Sequence, residues 1–470
     1  MVGRQNEIEL LKSCLMSDKA EFLVVYGRRR VGKTYLIKEY FNNRFAFYTT
    51  GMTEAKMKGQ LKAFNNALIE AGSDRSPISD WFDAFAKLKA YLQTGPVKRD
   101  PVSGKKVIFL DELPWMDTPR SDFKSALEYF WNSWASTQND ILLIVCGSAT
   151  SWIIDNLLDN KGGFYNRVTK RLHLKPFTLR ECEQLFEANG IKMTRQQMIE
   201  SYMVFGGIPY YLTCFDRRLS LTQNIDNLLF NENGTLYYEC EVLLKSLFKH
   251  HEKHAEILKV LSQSKGGTTR VELAKNHRIG DGEPLTKALN ELEQCGFIRK
   301  YKNYVKKQQS AYFQLIDPFM MFAYKFLDAR EHSNWITYAN SPSYYAWLGN
   351  AFELVTLLHT QQIKNALGIS GVETNEYAWK SSGSKPGAQI DLLIDRKDSV
   401  INLCEAKYTA DPFEIDADYA RKLQNKITAF VSETQCKSAV HLTLISASGI
   451  KKNEHSNVVQ CCIDKESLFL

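Results

Sequence analysis

Phe22-Leu23-Val24-Val25-Tyr26-Gly27-Arg28-Arg29-Arg30-Val31-Gly32-Lys33-Thr34-Tyr35-Leu36-Ile37-Lys38-Glu39-Tyr40 is the stretch that decides the fold. Its first five residues are apolar on both faces and too few for a helix, which predicts a central strand of a parallel sheet. Gly27 to Thr34 then fits G-x-x-x-x-G-K-[ST] in full, and the residues after it carry helical spacing. Strand, glycine turn and helix start, in that order, suit a polyphosphate: the glycines let backbone N–H groups wrap it and the helix N-terminus adds its positive end. Lys33 is expected to reach the β- and γ-phosphates of ATP, and the Thr34 hydroxyl to ligate Mg²⁺. Arg28, Arg29 and Arg30 add positive charge around the loop, and Val31 completes it.

Working outward, Val107-Ile108-Phe109-Leu110 is another buried-strand run, and it ends in Asp111-Glu112. A strand that delivers two carboxylates after a complete P-loop predicts Asp111 on Mg²⁺ and Glu112 polarising the attacking water. Phe45 to Thr49 and Ile141 to Val145 read as further strands. The latter leads into Cys146-Gly147-Ser148, and ligands in open α/β sheets sit at the carboxyl ends of strands. Ser148 therefore has two readings, a sensor beside the γ-phosphate or a cap for the helix starting near Ala149.

The rest of the chain is set by its size and composition. At 470 residues it is too long for one core and predicts three or four domains. Hydrophobic residues make up 44% and charged residues 24%, the balance of a folded protein. No apolar run approaches the roughly 20 residues of a membrane span, so no membrane partner is expected. Ten cysteines without a CxxC pair argue against a disulfide framework or a zinc site and for reduced thiols in the cytoplasm. The net charge of +7 is compatible with nucleic acid as a partner without requiring it.

The last region carries a second chemical pattern. Asp391 lies in the strand Ile390-Asp391-Leu392-Leu393-Ile394, and Glu405-Ala406-Lys407 lies in the next. A turn at Arg396-Lys397-Asp398-Ser399 would set Asp391 opposite or next to Glu405, with Cβ atoms about 5 Å apart. Glu405 and Lys407 are two apart and share a face. Two carboxylates and an ammonium converging on one patch suit a hard divalent cation, with Lys407 beside an attacking water.

With these motifs in place the chain resembles the archaeal- and bacterial-type predicted ATPases of the AAA+/STAND superfamily. Gly3-Arg4-Gln5-Asn6-Glu7 is similar to their opening GRxxE box, Asp111-Glu112 to Walker B and Ser148 to sensor 1. Gly206-Gly207-Ile208-Pro209 is similar to a lid element near the nucleotide. Arg167 resembles a nucleotide-sensing arginine, with Asn166 where a glycine is usual. The resemblance implies that Arg4, Arg167 and Pro209 join Gly27 to Thr34, Asp111 and Ser148 in serving the nucleotide. His254 to Asp317 resembles a winged helix with a basic wing (Lys300, Lys302, Lys306, Lys307). The tail resembles a PD-(D/E)xK nuclease core, with Gln389 in place of proline and Glu353 as the acid of the preceding helix.

The expected fold is thus multidomain α/β: a P-loop core at 1–175, a helical lid at 176–250, a winged helix at 251–330 and a restriction-endonuclease-like tail at 331–470. Three functional readings stay open. ATP licenses cleavage of DNA or another nucleic acid by the tail, through Glu353, Asp391, Glu405 and Lys407 with a metal on Asp391 and Glu405. Alternatively, ATP controls a DNA-binding regulator whose nuclease fold does not cut. In the third, ATP controls assembly into a homo-oligomer.

Overall fold

The computed structural model describes residues 1–159, 162–164, 166–248, 250–304, 311–328, 334–339, 341–381 and 388–470. Their contacts divide the chain into two compact units, Met1–Pro176 and Phe177–Leu470.

The first unit is built on β1 (Glu21–Tyr26), β2 (Phe47–Thr50), β3 (Lys106–Asp111), β4 (Ile141–Gly147) and β5 (Lys170–His173). They form one all-parallel sheet in the order β2-β3-β4-β1-β5. The apolar runs of β1, β3 and β4 account for their central places, since a strand covered by helices on both faces tolerates no polar face. All seven residues of β4 are buried. On one side the helices Met57–Ala71, Trp81–Thr94 and Phe123–Ser133 pack through an aromatic cluster of Phe64, Trp81, Phe85, Phe123 and Phe130. Trp81 and Phe123 stand edge to face with ring centroids 4.7 Å apart. Phe123 is fully buried, so its replacement by alanine is expected to cost about 3–5 kcal/mol. Asp80 starts the second of these helices by accepting from the Asp83 N–H at 2.9 Å.

The sheet order matters for function. In register, Tyr26 lies level with Gly147 and Leu110 with Val145. The carboxyl ends of β1, β4 and β3 therefore line up side by side, and the loop after β1, the acids after β3 and the serine after β4 open on one edge.

The second unit begins with helices, the first of them Leu179–Ala188 and Arg195–Phe205. Helices at His251–Ser262, Arg270–Ala274 and Glu283–Gln294 follow, with a three-stranded antiparallel sheet β6-β8-β7. Here β6 is Thr268–Thr269, β7 Ile298–Tyr301 and β8 Tyr312–Leu315. The sequence reading pairs the β7 segment with Val305 to Lys307, which lie outside the described residues; the described partner is β8, with Ile298 opposite Leu315.

The helix Pro342–Leu358 leads into β9 (Thr374–Lys380), β10 (Gln389–Arg396) and β11 (Val400–Lys407), an antiparallel meander. A short pair, β12 (Phe413–Glu414) with β14 (Ile450–Lys451), flanks the helix Ala417–Thr434. That helix crosses over to β13 (Ala439–Ser446), which runs parallel to β11, and β15 (Cys461–Asp464) completes a five-stranded sheet β15-β13-β11-β10-β9. Among the described residues no helix is long and apolar enough to cross a membrane.

Candidate functional site

The loop Gly27–Thr34 is shaped by two glycines for different reasons. Gly27 has φ 139°, and a Cβ there would stand 2.3 Å from the Leu174 carbonyl oxygen, so only glycine lets the loop leave β1 this close to the chain beyond β5. Gly32 has φ 91°, and a Cβ there would meet no atom within 4 Å. The space beside Gly32 is open, and a loop of this backbone form can act as a cradle for an anion.

Lys33 folds back over this cradle. Its Nζ donates to the carbonyls of Gly27 at 2.8 Å and Arg28 at 3.0 Å. Thr34 Oγ1 donates to the Asp111 carboxylate, 2.9 Å from Oδ2 and 3.1 Å from Oδ1, joining the loop to β3 directly. Asp111 is buried, and burial raises its pKa with the Glu112 charge acting the same way; the Thr34 hydrogen bond offsets only part of this. Burial likewise holds the Cys146 thiol of β4, next to Asp111, well above its ordinary pKa.

Glu112 occupies the left-handed region at φ 47°, at the end of β3. Its Oε2 accepts from the Ser148 hydroxyl at 2.9 Å and the Ser148 N–H at 3.2 Å. Ser148 therefore does not cap the following helix, which runs from Thr150 to Ile153 without a side-chain cap. The serine holds the acid instead.

Arg4 supports the loop from behind. Its guanidinium donates to the Val31 carbonyl at 3.1 Å and the Lys175 carbonyl at 2.8 Å. The expected nucleotide contact is thus a brace on the loop backbone in this structure. Arg28 and Val31 are buried, while Arg29 and Arg30 are partly exposed. Arg167 is exposed, and no described contact joins its side chain to the loop. Pro209 belongs to the second unit, where it opens the helix Pro209–Thr213. One pairing that sequence reasoning did not single out stands at the mouth of β1: Tyr26 stacks on His173 of β5, centroids 4.8 Å apart and planes 4° from parallel.

The second unit brings the tail acids together. Leu392 pairs with Cys404 and Leu393 with Leu403, so the same register sets Asp391 opposite Glu405. The ladder to β9 shifts between Ile390 and Leu393, the interval that contains Asp391, and such an irregularity can re-aim a side chain at a strand end. Glu405 is saturated with partners: Tyr419 Oη at 2.8 Å and Lys407 Nζ at 3.2 Å on Oε1, and Lys426 Nζ at 2.7 Å on Oε2. Burial alone would raise its pKa, but the ammonium groups of Lys426 and Lys407 and the hydrogen bonds outweigh it and hold the acid below its ordinary value. Asp391 Oδ1 accepts from Gln389 Nε2 at 2.6 Å, so Gln389 stands on the aspartate. Glu353, on the helix Pro342–Leu358, is pushed up to about 7 by burial and by the Asp391 and Glu405 charges, against the opposing Lys265 and Lys407. Lys265 reaches its carboxylate at 3.5 Å.

Sequence reasoning missed Lys426 and Lys265. The signal for the first was present: Tyr419 and Lys426 are seven apart on one helix and so share a face. Lys265 had none, since it arrives from a different part of the chain. Among the described residues, no group of three or more His, Cys, Asp or Glu residues is arranged to hold a metal ion.

The basic ribbon splits by strand alternation. Arg299 and Tyr301 face inward: Arg299 Nη2 approaches the Asp391 carbonyl at 3.4 Å and Tyr301 Oη donates to the Gly266 carbonyl. Beyond β7, Asn303 bridges to Ala378, and Tyr304 N–H donates to the Ala378 carbonyl at 3.0 Å. The ribbon is thereby seated on the edge of β9. Lys300 and Lys302 point to solvent, while Lys306 and Lys307 lie outside the described residues.

A family model described as an ATPase domain predominantly from Archaea matches residues 1–215. The chain carries a P-loop ATPase domain. An uncharacterized protein of Methanocaldococcus jannaschii is 26% identical over 364 residues, 75% of this chain and 76% of that protein. An uncharacterized ATP-binding protein of the same organism is 46% identical over 43 residues, 9% of this chain and 73% of the relative. Among solved structures, a Walker-type ATPase of Pyrococcus abyssi superposes with a TM-score of 0.48 at 16% identity, covering 69% of this chain and 96% of that one. The ORC2 protein of Aeropyrum pernix, in ADPNP and ADP complexes, gives 0.37 at 14% identity, covering 72% and 95%.

Proposed function

We propose that this protein is an ATP-hydrolysing switch whose tail cleaves phosphodiesters of nucleic acid with a divalent metal. The hydrolytic half rests on one observation: Thr34, Asp111, Glu112 and Ser148, from three different loops, form a continuous hydrogen-bonded set at the edge where the Gly32 cradle opens. The backbone N–H groups of the loop bind the phosphates, and Lys33 exchanges its two carbonyls for phosphate oxygens. The Thr34 hydroxyl and the Asp111 carboxylate are hard oxygen donors and fit Mg²⁺. When bound, Mg²⁺ neutralises charge on the β- and γ-phosphates. Glu112 accepts the proton of the attacking water, and Ser148 holds that carboxylate across the end of β4 until the nucleotide arrives. In this reading Arg167 and Pro209 complete the nucleotide contacts, residues 176–250 act as the lid, and 251–330 as a winged helix.

For the tail, support comes from the helix–meander–helix–parallel-strand order and from the apposition of Asp391 and Glu405. Glu353 is raised to about 7 by burial first and then by the charges of Asp391 and Glu405, so the three acids lie within electrostatic reach of one another. Asp391 and Glu405 supply hard oxygens for Mg²⁺ or Mn²⁺, which when bound polarises the phosphate. Lys407 stabilises the developing charge. A second reading, a nuclease fold that binds without cutting, is favoured by the saturation of Glu405, whose two oxygens are both held by ammonium groups.

Calorimetry of the nucleotide-free full chain with Mn²⁺, set beside DNA and RNA cleavage assays, separates the two. The phosphodiesterase reading expects Asp391→Ala to lose both the tail's heat of binding and the cutting while ATP binding stays intact. Intact nucleic acid after long incubation, with no heat difference between wild type and Asp391→Ala, selects the non-cleaving fold.

A further inference from the structure

Three ammonium groups face the tail acids, and they are held in different ways. Lys407 and Lys426 grip Glu405 with side chains 29% and 28% exposed, over a carboxylate side chain 15% exposed. Lys265 reaches Glu353 at 3.5 Å with a side chain 59% exposed. It also comes from outside the tail, in the turn between the helix His251–Ser262 and β6. That turn is fixed by the three-stranded sheet and by its own serine. Tyr301 Oη of β7 donates to the Gly266 carbonyl, Gln314 Nε2 of β8 to the Lys265 carbonyl at 3.3 Å, and Ser264 Oγ to the Gly267 carbonyl at 2.7 Å. Gly266 lies against the tail, where a Cβ would stand 2.8 Å from Gln389 Nε2, the group that donates to Asp391. Lys265, Glu353 and Asp391 line one cavity of about 640 Å³, roomy enough for a hydrated cation.

We propose that Lys265 is a placeholder cation through which the middle segment, residues 251–330, gates metal entry to the tail. The proposal rests on the divalent-metal reading of the tail and adds its regulation. Carboxylates crowded on one patch repel one another, and a cation relieves that cost. Lys265 supplies one positive charge at Glu353 in this structure. A divalent ion beside Asp391 would supply it instead, and the ammonium repels such an ion for as long as it stays. Of the three lysines, Lys265 is the one able to leave. Its head is in water, and an exposed ion pair contributes little, whereas Lys407 and Lys426 would each abandon a carboxylate that is mostly buried. Where Lys265 stands is decided by β7 and β8, not by the tail. A shift of the middle sheet on the tail therefore carries the ammonium off Glu353 or presses it on, and metal occupancy follows.

Calorimetry with Mn²⁺ on the nucleotide-free, full-length protein tests this, at pH 8 so that protons compete little. The tail's share of the binding is the part that Asp391→Ala removes. Lys265→Met keeps the stem and loses the charge. It should tighten that share about fivefold to tenfold, the scale of an exposed charge acting on a divalent ion. Tyr301→Phe keeps the ring but releases the turn, and should tighten it by a smaller factor. Lys397→Met, at the turn of the hairpin away from Asp391, removes a similarly exposed charge and should change nothing. Unchanged or weaker Mn²⁺ binding in Lys265→Met, or an equal gain in Lys397→Met, overturns the placeholder. A gain in Lys265→Met with none in Tyr301→Phe overturns control by the middle segment. Cleavage of DNA and RNA is scored separately. Tighter Mn²⁺ binding with no nucleic acid cut in any variant would remove the phosphodiesterase reading alone. Cutting by wild type with no gain in Lys265→Met would remove the placeholder alone.

Discussion

The two sites of this protein are built in opposite ways. The nucleotide site takes its defining residues from eight contiguous positions plus two strand ends, and its polar groups are held mainly by backbone: Lys33 on the carbonyls of Gly27 and Arg28, Arg4 on those of Val31 and Lys175. The tail site gathers side chains from positions 265, 353, 389, 391, 405, 407, 419 and 426 and satisfies them with one another. A lysine parked on carbonyls can turn to a phosphate at little cost. A carboxylate clamped by two ammonium groups must give one up before anything else binds. The nucleotide site is therefore poised in this structure, and the tail site is latched.

The largest expected effect tests the poise. Lys33→Ala removes the main cation for a partly buried polyphosphate, and losing one partner of such a pair costs about 3–5 kcal/mol. ATP affinity measured by calorimetry should fall at least a hundredfold. Undiminished affinity would break the assignment of the loop. Next in size is Glu112→Gln, which keeps the hydrogen bonds to Ser148 but cannot take up a proton. Phosphate release should slow about a hundredfold, with ATP affinity within a few-fold of wild type. Unchanged turnover would remove Glu112 as the base and leave the binding site standing.

The contrast also explains what was legible in the sequence. Gly27 to Thr34, Asp111-Glu112 and the apolar runs of β1, β3 and β4 could be read because each is local: period, spacing and residue type carry the information within a few positions. The hairpin register of Asp391 and Glu405 was legible for the same reason, since a short turn makes pairing arithmetic. Ser148 was half legible. Its place at a strand end was clear, but whether its hydroxyl caps a helix or grips Glu112 depends on β3 and β4 being neighbours, which no local pattern states. Lys426 could be placed on the face of Tyr419 by helical spacing, but Lys265 reaches Glu353 from a turn almost ninety positions earlier, a distance at which one sequence has no register.

A middle-sized effect probes how the second unit holds together. His359 follows the helix Pro342–Leu358 and is fully buried; its Nε2 accepts the Leu179 N–H at 3.0 Å while Nδ1 faces the Val355 carbonyl at 2.8 Å. The Nε2 contact needs the neutral ring, whereas Nδ1–H can donate to Val355 in either state; burial outweighs that opposing bond and holds the pKa down to about 4 from an ordinary 6.5. A depressed folded pKa gives stability that is complete above pH 6.5 and is lost as pH falls from there toward 4, because the unfolded chain takes up the proton first. The loss approaches roughly 3 kcal/mol at the acid end. Urea denaturation at pH 7 and pH 4.5 should show it, and His359→Gln, whose amide can also accept and donate, should flatten the difference. An equally steep acid loss in that variant would assign the effect to other groups.

The smallest effect distinguishes the two faces of the ribbon. Arg299 and Tyr301 are spent on the Asp391 and Gly266 carbonyls, whereas Lys300 and Lys302 are exposed on the opposite face. If nucleic acid runs along the solvent face of β7 toward the tail, each of these lysines meets about one phosphate. Lys300→Glu with Lys302→Glu should then lower affinity several-fold and reduce the slope of log affinity against log salt by about 0.7 per lost contact for a single strand. The fold should be untouched, because neither side chain has a described partner. Arg299→Leu is the matched control. It should shift the unfolding midpoint, through the lost contacts to Gln314 Oε1 at 2.8 Å and to Asp391, and leave the salt slope alone. The opposite pattern, a salt slope that follows Arg299 and ignores the two lysines, would mean that the ribbon lifts off β9 when nucleic acid binds. In that case the latch on the tail acids would include the ribbon itself.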